Sequence, residues 1–333
     1  MIDGIKKLYI EPTSACNLNC SMCFRNNWID EKKGFMSEET FKNIIKGIKN
    51  ESDLESVMFG GMGEPLLHKN IVSMVYAISE QKIKTELITN ATLLTKNLSD
   101  MLLNSGLPCL WVSVDGFKKE AYEKIQKGAE FELIKRNIEY FNTNRGNTEF
   151  GMTFVIMDEN IVEIEKINRF ADAMGFDYIN LSYNVPSSPL KEDISCYDTG
   201  FLIGKQRRIK FNEFHKRRLN YCPFIDEDNC FVKWNGDVSA CMQLLHSSYT
   251  YLFEEKREVV AKSFGNVNNL PLPDIWRSEE YVKLRKLVKD FEFPDCTVCD
   301  GCDDRLSNLT DCMYNTFPTC GACLWAQGIG RCP

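Results

Sequence analysis

Short apolar runs alternate with amphipathic stretches over the first half of the chain, between residues 8 and 185. The apolar runs predict six β-strands: Leu8–Glu11, Ser56–Phe59, Thr85–Thr89, Leu110–Val114, Gly151–Ile156 and Tyr178–Ser182. The first five are each followed by a predicted helix: Glu38–Lys49, Ile71–Gln81, Lys96–Asn104, Lys119–Phe141 and Ile161–Met174. Strands that alternate with helices form a parallel sheet with right-handed crossovers. Six units are too few for a complete eight-stranded barrel, so the pattern predicts an α/β fold with a partial (β/α)6 barrel of the TIM type.

The alternating pattern ends at a polar, proline-containing connector, VPSSPLKEDISCYDTG, which starts at residue 185. We therefore place a barrel domain in residues 1–190 and a smaller, cysteine-rich domain in residues 191–333. Inside the second domain, the segment from Trp234 to Val238 is predicted to form a hairpin around an Asn-Gly turn.

The composition suits a cytoplasmic enzyme. The chain has 333 residues, of which 44% are hydrophobic, and this is enough for a substantial core. A formal net charge of -7 argues against a nucleic-acid partner, because phosphate is bound mainly by clustered Lys and Arg. No stretch approaches the roughly 20 apolar residues of a membrane helix, and the N-terminus lacks the pattern of a secretory signal. Fifteen cysteines in such a chain point to metal ligation rather than to disulfides.

Three cysteines follow the first predicted strand with the spacing C-x3-C-x2-C: Cys16, Cys20 and Cys23. Three thiolates can hold three corners of a 4Fe-4S cube and leave the fourth iron open to a small molecule. A zinc site would need a fourth Cys or His close by, and the histidines lie elsewhere, at His68, His215 and His246. The alternative is that the three are incidental core cysteines.

The loop resembles the cluster motif of radical S-adenosylmethionine (SAM) enzymes, with Met22 where an aromatic residue is common. The resemblance implies that the open iron binds the amino and carboxylate groups of SAM. One electron from the cluster would then cleave the carbon-sulfur bond and release a 5'-deoxyadenosyl radical. Met22 and Phe24 would belong to the SAM-binding surface, with Met22 beside the adenine.

A second loop follows the second predicted strand and reads Phe59-Gly60-Gly61-Met62-Gly63-Glu64-Pro65. Glycines allow a ligand to approach the backbone closely, and a carboxylate can accept a hydrogen bond from an ammonium group. The loop resembles the GGE motif of the same family, which holds the methionine end of SAM. We assign that role to Gly60, Gly61, Gly63 and Glu64; a plain structural turn is the alternative.

Polar residues also follow the third and fourth predicted strands. Ser113 and Asp115 stand where related enzymes contact the ribose of SAM, and Asn90 is a further candidate of this type. For Asp115, capping of the following helix is the alternative.

Ten of the fifteen cysteines lie between residues 222 and 332: Cys222, Cys230, Cys241, Cys296, Cys299, Cys302, Cys312, Cys320, Cys323 and Cys332. Their arrangement resembles the SPASM extension of radical SAM maturases, which carries two auxiliary 4Fe-4S clusters. The resemblance implies that Cys222, Cys230 and Cys241 serve one cluster and that Cys296 and Cys299 serve the other. Spacing alone does not decide which of the remaining five complete the sets. A pair of zinc knuckles is the alternative for the whole segment.

Two cysteines fall outside these groups. Cys109 is expected to be a small core residue. Cys196, in the connector, is expected to be an inert loop residue; the alternative is an exposed thiol that donates a hydrogen atom or contacts substrate.

Three stretches resemble the maturases encoded with tungsten-cofactor oxidoreductases of the aldehyde:ferredoxin oxidoreductase type: CFRNNW from Cys23, GMGEP from Gly61 and PTCGACLWAQG from Pro318. The resemblance implies a peptide or protein substrate, such as that oxidoreductase or its cofactor, and an electron donor such as ferredoxin or flavodoxin. One alternative is an enzyme that crosslinks a ribosomal peptide through a thioether or carbon-carbon bond. Outside this class, the alternatives are an iron-sulfur electron-transfer protein and a zinc-dependent interaction module.

Overall fold

Eight strands form the central sheet in the computed structural model, which describes residues 4–29, 31–49, 51–183, 220–299 and 301–327. The strands are β1 (Lys7–Ile10), β2 (Ser56–Phe59), β3 (Lys84–Thr89), β4 (Cys109–Ser113), β5 (Glu149–Ile156), β6 (Tyr178–Tyr183), β7 (Asn229–Val232) and β8 (Val238–Ser239). Their order is β6-β5-β4-β3-β2-β1-β7-β8, and all neighbours are parallel except β7 and β8. The predicted parallel α/β sheet and its six strands are confirmed.

Helices follow the strands of the sheet. They are α1 (Glu38–Ile48), α2 (Ile71–Ser79), α3 (Lys96–Asn104), α4 (Lys119–Ile125), α5 (Phe131–Asn144) and α6 (Ile167–Met174), and after β6 come α7 (Pro223–Asp226), α8 (Leu272–Trp276) and α9 (Glu279–Lys289). The start of the predicted helix Ile161–Met174 is a 3-10 helix, Ile161–Lys166. Within the described ranges, no helix combines the length and the apolar character that a membrane crossing requires.

Burial alternates along the first two strands, so the sheet has two different faces. Leu8 and Val57 are completely buried and share one core with Ile44 of α1. Tyr9 and Met58, which point the other way, are only partly buried. The second face of the sheet is therefore the open side of the partial barrel.

The predicted helix Lys119–Phe141 was wrong as a single element, because it is two helices, α4 and α5. The chain turns between them at Gly128, whose φ is +97°. Most residues avoid this left-handed region, and glycine adopts it at little cost. The turn leaves carbonyl groups at the end of α4 without helical partners.

The cysteine-rich segment contributes to the barrel sheet, since β7 pairs with β1 in parallel. Strand β7 has four buried residues and no alternation, so the apolar pattern gave no signal for it. The predicted hairpin is confirmed, with β7 and β8 antiparallel around Gly236 at φ +94°. Strands β9 (Ser248–Leu252) and β10 (Glu255–Val259) form a second, antiparallel pair. The predicted domain boundary at residue 190 lies outside the described residues.

Candidate functional site

The cysteine loop after β1 is anchored to the break between α4 and α5. The backbone N–H of Asn19 donates to the carbonyl of Lys127 at 2.9 Å, and that of Ser21 donates to the carbonyl of Ile125 at 2.8 Å. In an unbroken helix these carbonyls would accept bonds from helical N–H groups. The break that the sequence pattern did not predict therefore positions the loop.

The three thiols of the loop are free, partly buried and near one another. Burial raises the pKa of Cys20 to about 12, and negative charge on Asp115, Cys23 and Cys16 acts in the same direction. Thiolates gathered in this way are unfavourable until a cation compensates them, and bound iron supplies that positive charge. The donor set fits an iron-sulfur cluster.

Arg25 provides further positive charge beside these thiols. Its Nε donates to Cys23 Sγ at 3.3 Å, and its Nη2 donates to the Leu18 carbonyl at 2.7 Å. Burial acts to lower the pKa of Arg25, but Cys23 and the other two thiols raise it overall. The guanidinium therefore stabilises the thiolate form of the loop. Sequence analysis missed this residue, although its position two residues after the third cysteine was a usable signal.

The glycine loop after β2 packs directly against the cysteine loop. Gly60 continues β2, and its N–H donates to the Ile10 carbonyl at 3.0 Å. A Cβ on Gly63 would lie 2.5 Å from the carbonyl oxygen of Ala15, so only glycine fits there without moving backbone. The next N–H, from Glu64, donates to the same Ala15 carbonyl at 2.8 Å. The structure thus brings the two predicted loops together.

Glu64 is buried, with a relative exposure of 2%. Its Oε1 accepts hydrogen bonds from the Thr89 hydroxyl at 2.7 Å and the Leu66 N–H at 3.0 Å, and Oε2 accepts one from the Asn90 N–H at 2.8 Å. Burial raises the pKa of Glu64, although these bonds act to lower it. A carboxylate offers about four acceptor positions, so Oε2 has a second position besides the one that Asn90 occupies, and we propose that an ammonium donor binds there.

The side chain of Asn90 connects Glu64 to the cysteine loop. Its Nδ2 lies 3.1 Å from Asn17 Oδ1 and 3.8 Å from Cys16 Sγ, and its Oδ1 accepts a bond from the Thr92 hydroxyl at 2.6 Å. Hydrogen bonds to the sulfur atoms are one way in which proteins adjust cluster potentials. The structure therefore places Asn90 beside a candidate ligand.

Asp115 is completely buried and ties β4 to β5. Its Oδ1 accepts from the Val155 N–H at 2.8 Å, and its Oδ2 accepts from the Gln126 amide at 2.7 Å and the Ser113 hydroxyl at 3.3 Å. Burial raises the pKa of Asp115 to about 6. It does not cap α4, which begins after Lys118. We propose that Ser113, on the open face, contacts the ribose and that Asp115 orients it.

The two other predicted SAM contacts are Met22, inside the cysteine loop, and Phe24, which follows its third cysteine. Met22 is partly buried. The ring of Phe24 meets Trp325 edge to face at 6.3 Å, so it touches the cysteine-rich segment. Phe24 thus links the two halves of the chain.

A set of four thiols lies together in the cysteine-rich segment, and we call it set one: Cys222, Cys241, Cys320 and Cys323. Burial is the main reason that the pKa of Cys222 is raised, and charge on Cys241 and Cys323 raises it further. Cys320 responds in the same way to the other three members. We propose that set one holds one auxiliary cluster.

A second group of thiols surrounds Cys296, whose pKa burial raises to about 11. Charge on Cys299 and Cys312 raises it too, so both lie near Cys296. Cys302 precedes the 3-10 helix Asp303–Leu306, three residues after Cys299. We propose that these four residues, set two, hold the other auxiliary cluster.

The two sets adjoin at Gly321, which lies between Cys320 and Cys323. A Cβ on Gly321 would lie 3.1 Å from Cys296 Sγ of set two. The buried guanidinium of Arg257 is near enough to interact with cysteines of both sets, and its Nε donates to the Arg305 carbonyl at 3.0 Å. The folded segment therefore brings together cysteines that are far apart in sequence.

The structure separates Cys230 from set one. Cys230 pairs with Leu8 on the core face of the sheet, is completely buried and contacts Tyr281 and Arg285 of α9. Its neighbour Phe231 points to the open face and stacks on the Tyr9 ring at 4.4 Å. We therefore leave Cys230 out of the proposed ligands.

The remaining cysteine predictions have mixed outcomes. Cys109 is buried in β4, as expected of a core residue. Cys196 and Cys332 lie outside the described residues. Within the described ranges, no three or more His, Cys, Asp or Glu side chains form a site for a single metal ion.

Comparison with known proteins identifies the family. Residues 10–171 match a model of the radical SAM superfamily, and residues 222–303 match a model of the SPASM iron-sulfur cluster-binding domain. The chain is 30% identical to the tungsten-containing aldehyde ferredoxin oxidoreductase cofactor-modifying protein of Pyrococcus furiosus, over 99% of this chain and 97% of that protein. This chain belongs to the radical SAM superfamily.

Solved structures of radical SAM enzymes have the same fold. Streptococcus suis SuiB bound to S-adenosylmethionine has a TM-score of 0.64 at 19% identity, covering 86% of this chain and 68% of SuiB. The structure of anSMEcpe with bound AdoMet and a Cp18Cys peptide has a TM-score of 0.62 at 18% identity, covering 85% of this chain and 82% of that one. As a radical SAM enzyme with a SPASM domain, the chain binds a 4Fe-4S cluster, SAM and auxiliary iron-sulfur clusters.

Replacing Glu64 with Gln is expected to weaken SAM binding by roughly 1 to 3 kcal/mol, the usual cost of losing a charged partner in a buried hydrogen bond. The amide keeps the volume of the side chain but has fewer acceptor positions for the Thr89, Asn90 and ammonium donors. Anaerobic equilibrium dialysis measures the change. Glu86→Gln is the control, because Glu86 is a buried carboxylate of β3 that accepts a hydrogen bond from Lys7 of β1 and has no proposed contact with SAM. Unchanged affinity in Glu64→Gln would make Glu64 only a turn residue.

Replacing Cys320 with Ala is expected to remove about four of roughly twelve irons per chain, since it breaks set one. Replacing Cys230 with Ala is expected to keep all of them. Iron and labile sulfide, measured on anaerobically purified protein, report the result. If Cys230→Ala loses iron and Cys320→Ala does not, the proposed set is incorrect.

Proposed function

We propose that this radical SAM enzyme modifies a tungsten-containing aldehyde ferredoxin oxidoreductase or its cofactor. The observation that carries the proposal is the relation to the Pyrococcus furiosus cofactor-modifying protein, which extends over 99% of this chain. The matched length includes the barrel and the cysteine-rich segment together. The proposal therefore rests on the whole catalytic unit and not on the shared SAM chemistry alone.

The open face of the sheet is where we place the substrate. It presents partly buried aromatic, sulfur-containing and neutral polar side chains: Tyr9, Met58, Trp111, Thr153 and Asn180. Loops and side chains at the carboxyl ends of parallel strands usually form the site of such folds. Rings and amides of this kind suit a planar organic group or a peptide segment, which they can stack on and bind by hydrogen bonds.

Three residues around the cysteine loop have different roles in binding SAM and the cluster. Glu64 offers Oε2 to the ammonium group, Ser113 offers its hydroxyl to the ribose, and Arg25 stabilises the thiolates that bind iron. When bound, the reduced cluster supplies the electron that cleaves the carbon-sulfur bond of SAM. That electron comes from a donor such as ferredoxin or flavodoxin in our proposal.

The test is expression of the oxidoreductase with and without this enzyme under anaerobic conditions. Mass spectrometry of the intact oxidoreductase and of its extracted cofactor is expected to show a mass change that requires the enzyme. A Cys16/Cys20/Cys23→Ala variant is the control, and it should leave both masses unchanged. Identical masses with active and inactive enzyme would refute the proposal.

Ribosomal-peptide crosslinking is the alternative outcome. The similarity to SuiB, at 19% identity, shows a shared fold and does not by itself support a shared substrate. A thioether or carbon-carbon crosslink in a precursor peptide, together with an unchanged oxidoreductase, would decide for that alternative.

A further inference from the structure

A buried charge network joins the cysteine-rich segment to the barrel. At its centre is His246, whose Nε2 lies 2.9 Å from Glu11 Oε2 and whose Nδ1 lies 3.1 Å from Glu31 Oε2. Lys233 Nζ donates to the same Glu31 oxygen at 2.8 Å. Glu11 and His246 are each only 2% exposed. None of the four is a proposed iron ligand, and no step of SAM binding described above uses them.

Between two ionised carboxylates, His246 is doubly protonated. An ionised carboxylate only accepts hydrogen bonds, so each ring nitrogen that faces one must carry a hydrogen. Burial acts to lower the pKa of His246, but its bonds to Glu11 and Glu31 raise it overall. With Lys233, two positive groups then balance two negative ones, which is the condition under which buried charges are tolerated. The Trp28 ring stacks on the imidazolium at 4.2 Å and shields it from water.

Glu11 extends the network into the glycine loop. Its Oε2 also accepts a hydrogen bond from the Met62 N–H at 3.1 Å. The backbone of Gly61 crosses directly over this side chain, since a Cβ there would lie 2.9 Å from Glu11 Cβ, and its φ of +114° suits glycine. The position of Glu11 therefore fixes the backbone of the loop to which we assign the methionine end of SAM.

We infer that His246 is a positioning residue through which the cysteine-rich segment sets the shape of the glycine loop and thereby the affinity for SAM. The inference rests on the assignment of that loop to SAM and is independent of which substrate is modified. If the network were only a structural support, every change in it would lower stability and leave SAM affinity alone.

Two substitutions at His246 separate these roles. His246→Gln keeps an N–H near the Nε2 position, which can still donate to Glu11. His246→Asn is shorter, keeps a donor only near the Nδ1 position and leaves Glu11 without its partner. Both remove the imidazolium, so they form a matched pair for charge and differ in the bond to Glu11.

The measurements are iron content, SAM affinity by anaerobic equilibrium dialysis, and the EPR signal of the reduced protein titrated with SAM. We expect both variants to keep their iron, His246→Gln to bind SAM within about 3-fold of the unmodified protein, and His246→Asn to bind it at least about 10-fold more weakly. The SAM-dependent EPR change should shift to correspondingly higher SAM concentration. Equal SAM affinity in the two variants would overturn the inference.

Two further variants cover the remaining outcomes. If His246→Asn does not retain iron, Glu11→Gln takes its place. It keeps the volume of the side chain but removes the negative charge, so the hydrogen bonds from Met62 and His246 both become weaker. SAM binding by Glu11→Gln that equals the unmodified protein would then overturn the inference. Glu64→Gln distinguishes the causes of failure. If Glu64→Gln weakens SAM binding and the His246 variants do not, only the coupling through His246 is refuted. If neither Glu64→Gln nor the His246 variants weaken SAM binding, the assignment of the glycine loop to SAM is refuted, and the inference with it.

Discussion

Replacing Cys16, Cys20 and Cys23 together with Ala is expected to abolish SAM cleavage and to leave the auxiliary sets loaded. The three thiols lie together beside Arg25, whereas sets one and two draw on thiols of the cysteine-rich segment alone. Incubation with SAM and dithionite, followed by chromatography of 5'-deoxyadenosine, should give the background of a protein-free sample. About eight of roughly twelve irons should remain, because two complete sets of four cysteines are untouched.

Cys109→Ala is the control for this triple variant, because Cys109 is a buried cysteine of the same barrel that belongs to no set. It should retain SAM cleavage and all iron. Undiminished 5'-deoxyadenosine from the triple variant would show that the loop does not hold the cluster that cleaves SAM.

Replacing Cys241 or Cys296 with Ala is expected to uncouple SAM cleavage from product formation. If each auxiliary cluster is held by four cysteines, no iron is open to substrate, and electron transfer is the remaining chemical role. A Cβ on Gly321 would lie 3.1 Å from Cys296 Sγ, so the two proposed sets are neighbours, as a relay requires. Hydrogen abstraction can then proceed while the substrate radical has no route for its electron.

Paired quantification of 5'-deoxyadenosine and modified substrate in one reaction measures this uncoupling. Cys230→Ala is the matched control, since it removes a buried thiol from the same segment without touching either set. Full product yield from a variant that lacks an auxiliary cluster would eliminate the relay and leave the segment a structural support.

The barrel could be predicted from sequence because its strands repeat one simple pattern. Leu8 and Val57 face the core while their neighbours face the open side, and this period of two is visible in the residues themselves. The break between α4 and α5 was missed, since amphipathic stretches lie on both sides of it, with Ile125 buried in α4 and Phe131 buried in α5. The helix breaks there because Gly128 adopts a left-handed conformation and because the cysteine loop donates hydrogen bonds to carbonyl groups at the break.

Some residues of the candidate site could also be predicted from the sequence, and others could not. Cys16, Cys20 and Cys23 could be grouped from spacing, because all three lie on one short loop. The partners of Cys222 and Cys241 could not, since Cys320 and Cys323 reach them only through folding of the intervening chain. His246 gave no signal either, because a single histidine in an apolar stretch is usually a core residue. Its role depends on its hydrogen bond with Glu11, which lies 235 positions away in the sequence.

The two auxiliary sets differ in the exposure of their cysteines, and this difference affects how a preparation of this enzyme is oxidised in air. Cys299 and Cys312 of set two are exposed, whereas the cysteines of set one are only partly exposed. Dioxygen and chelators therefore reach set two first, because oxidation follows the accessibility of the sulfur. A partly oxidised sample would still consume SAM after it had stopped making product, and so would imitate the Cys296 variant. Iron counted on the same aliquot as the kinetics shows whether a sample of the unmodified enzyme has lost this cluster.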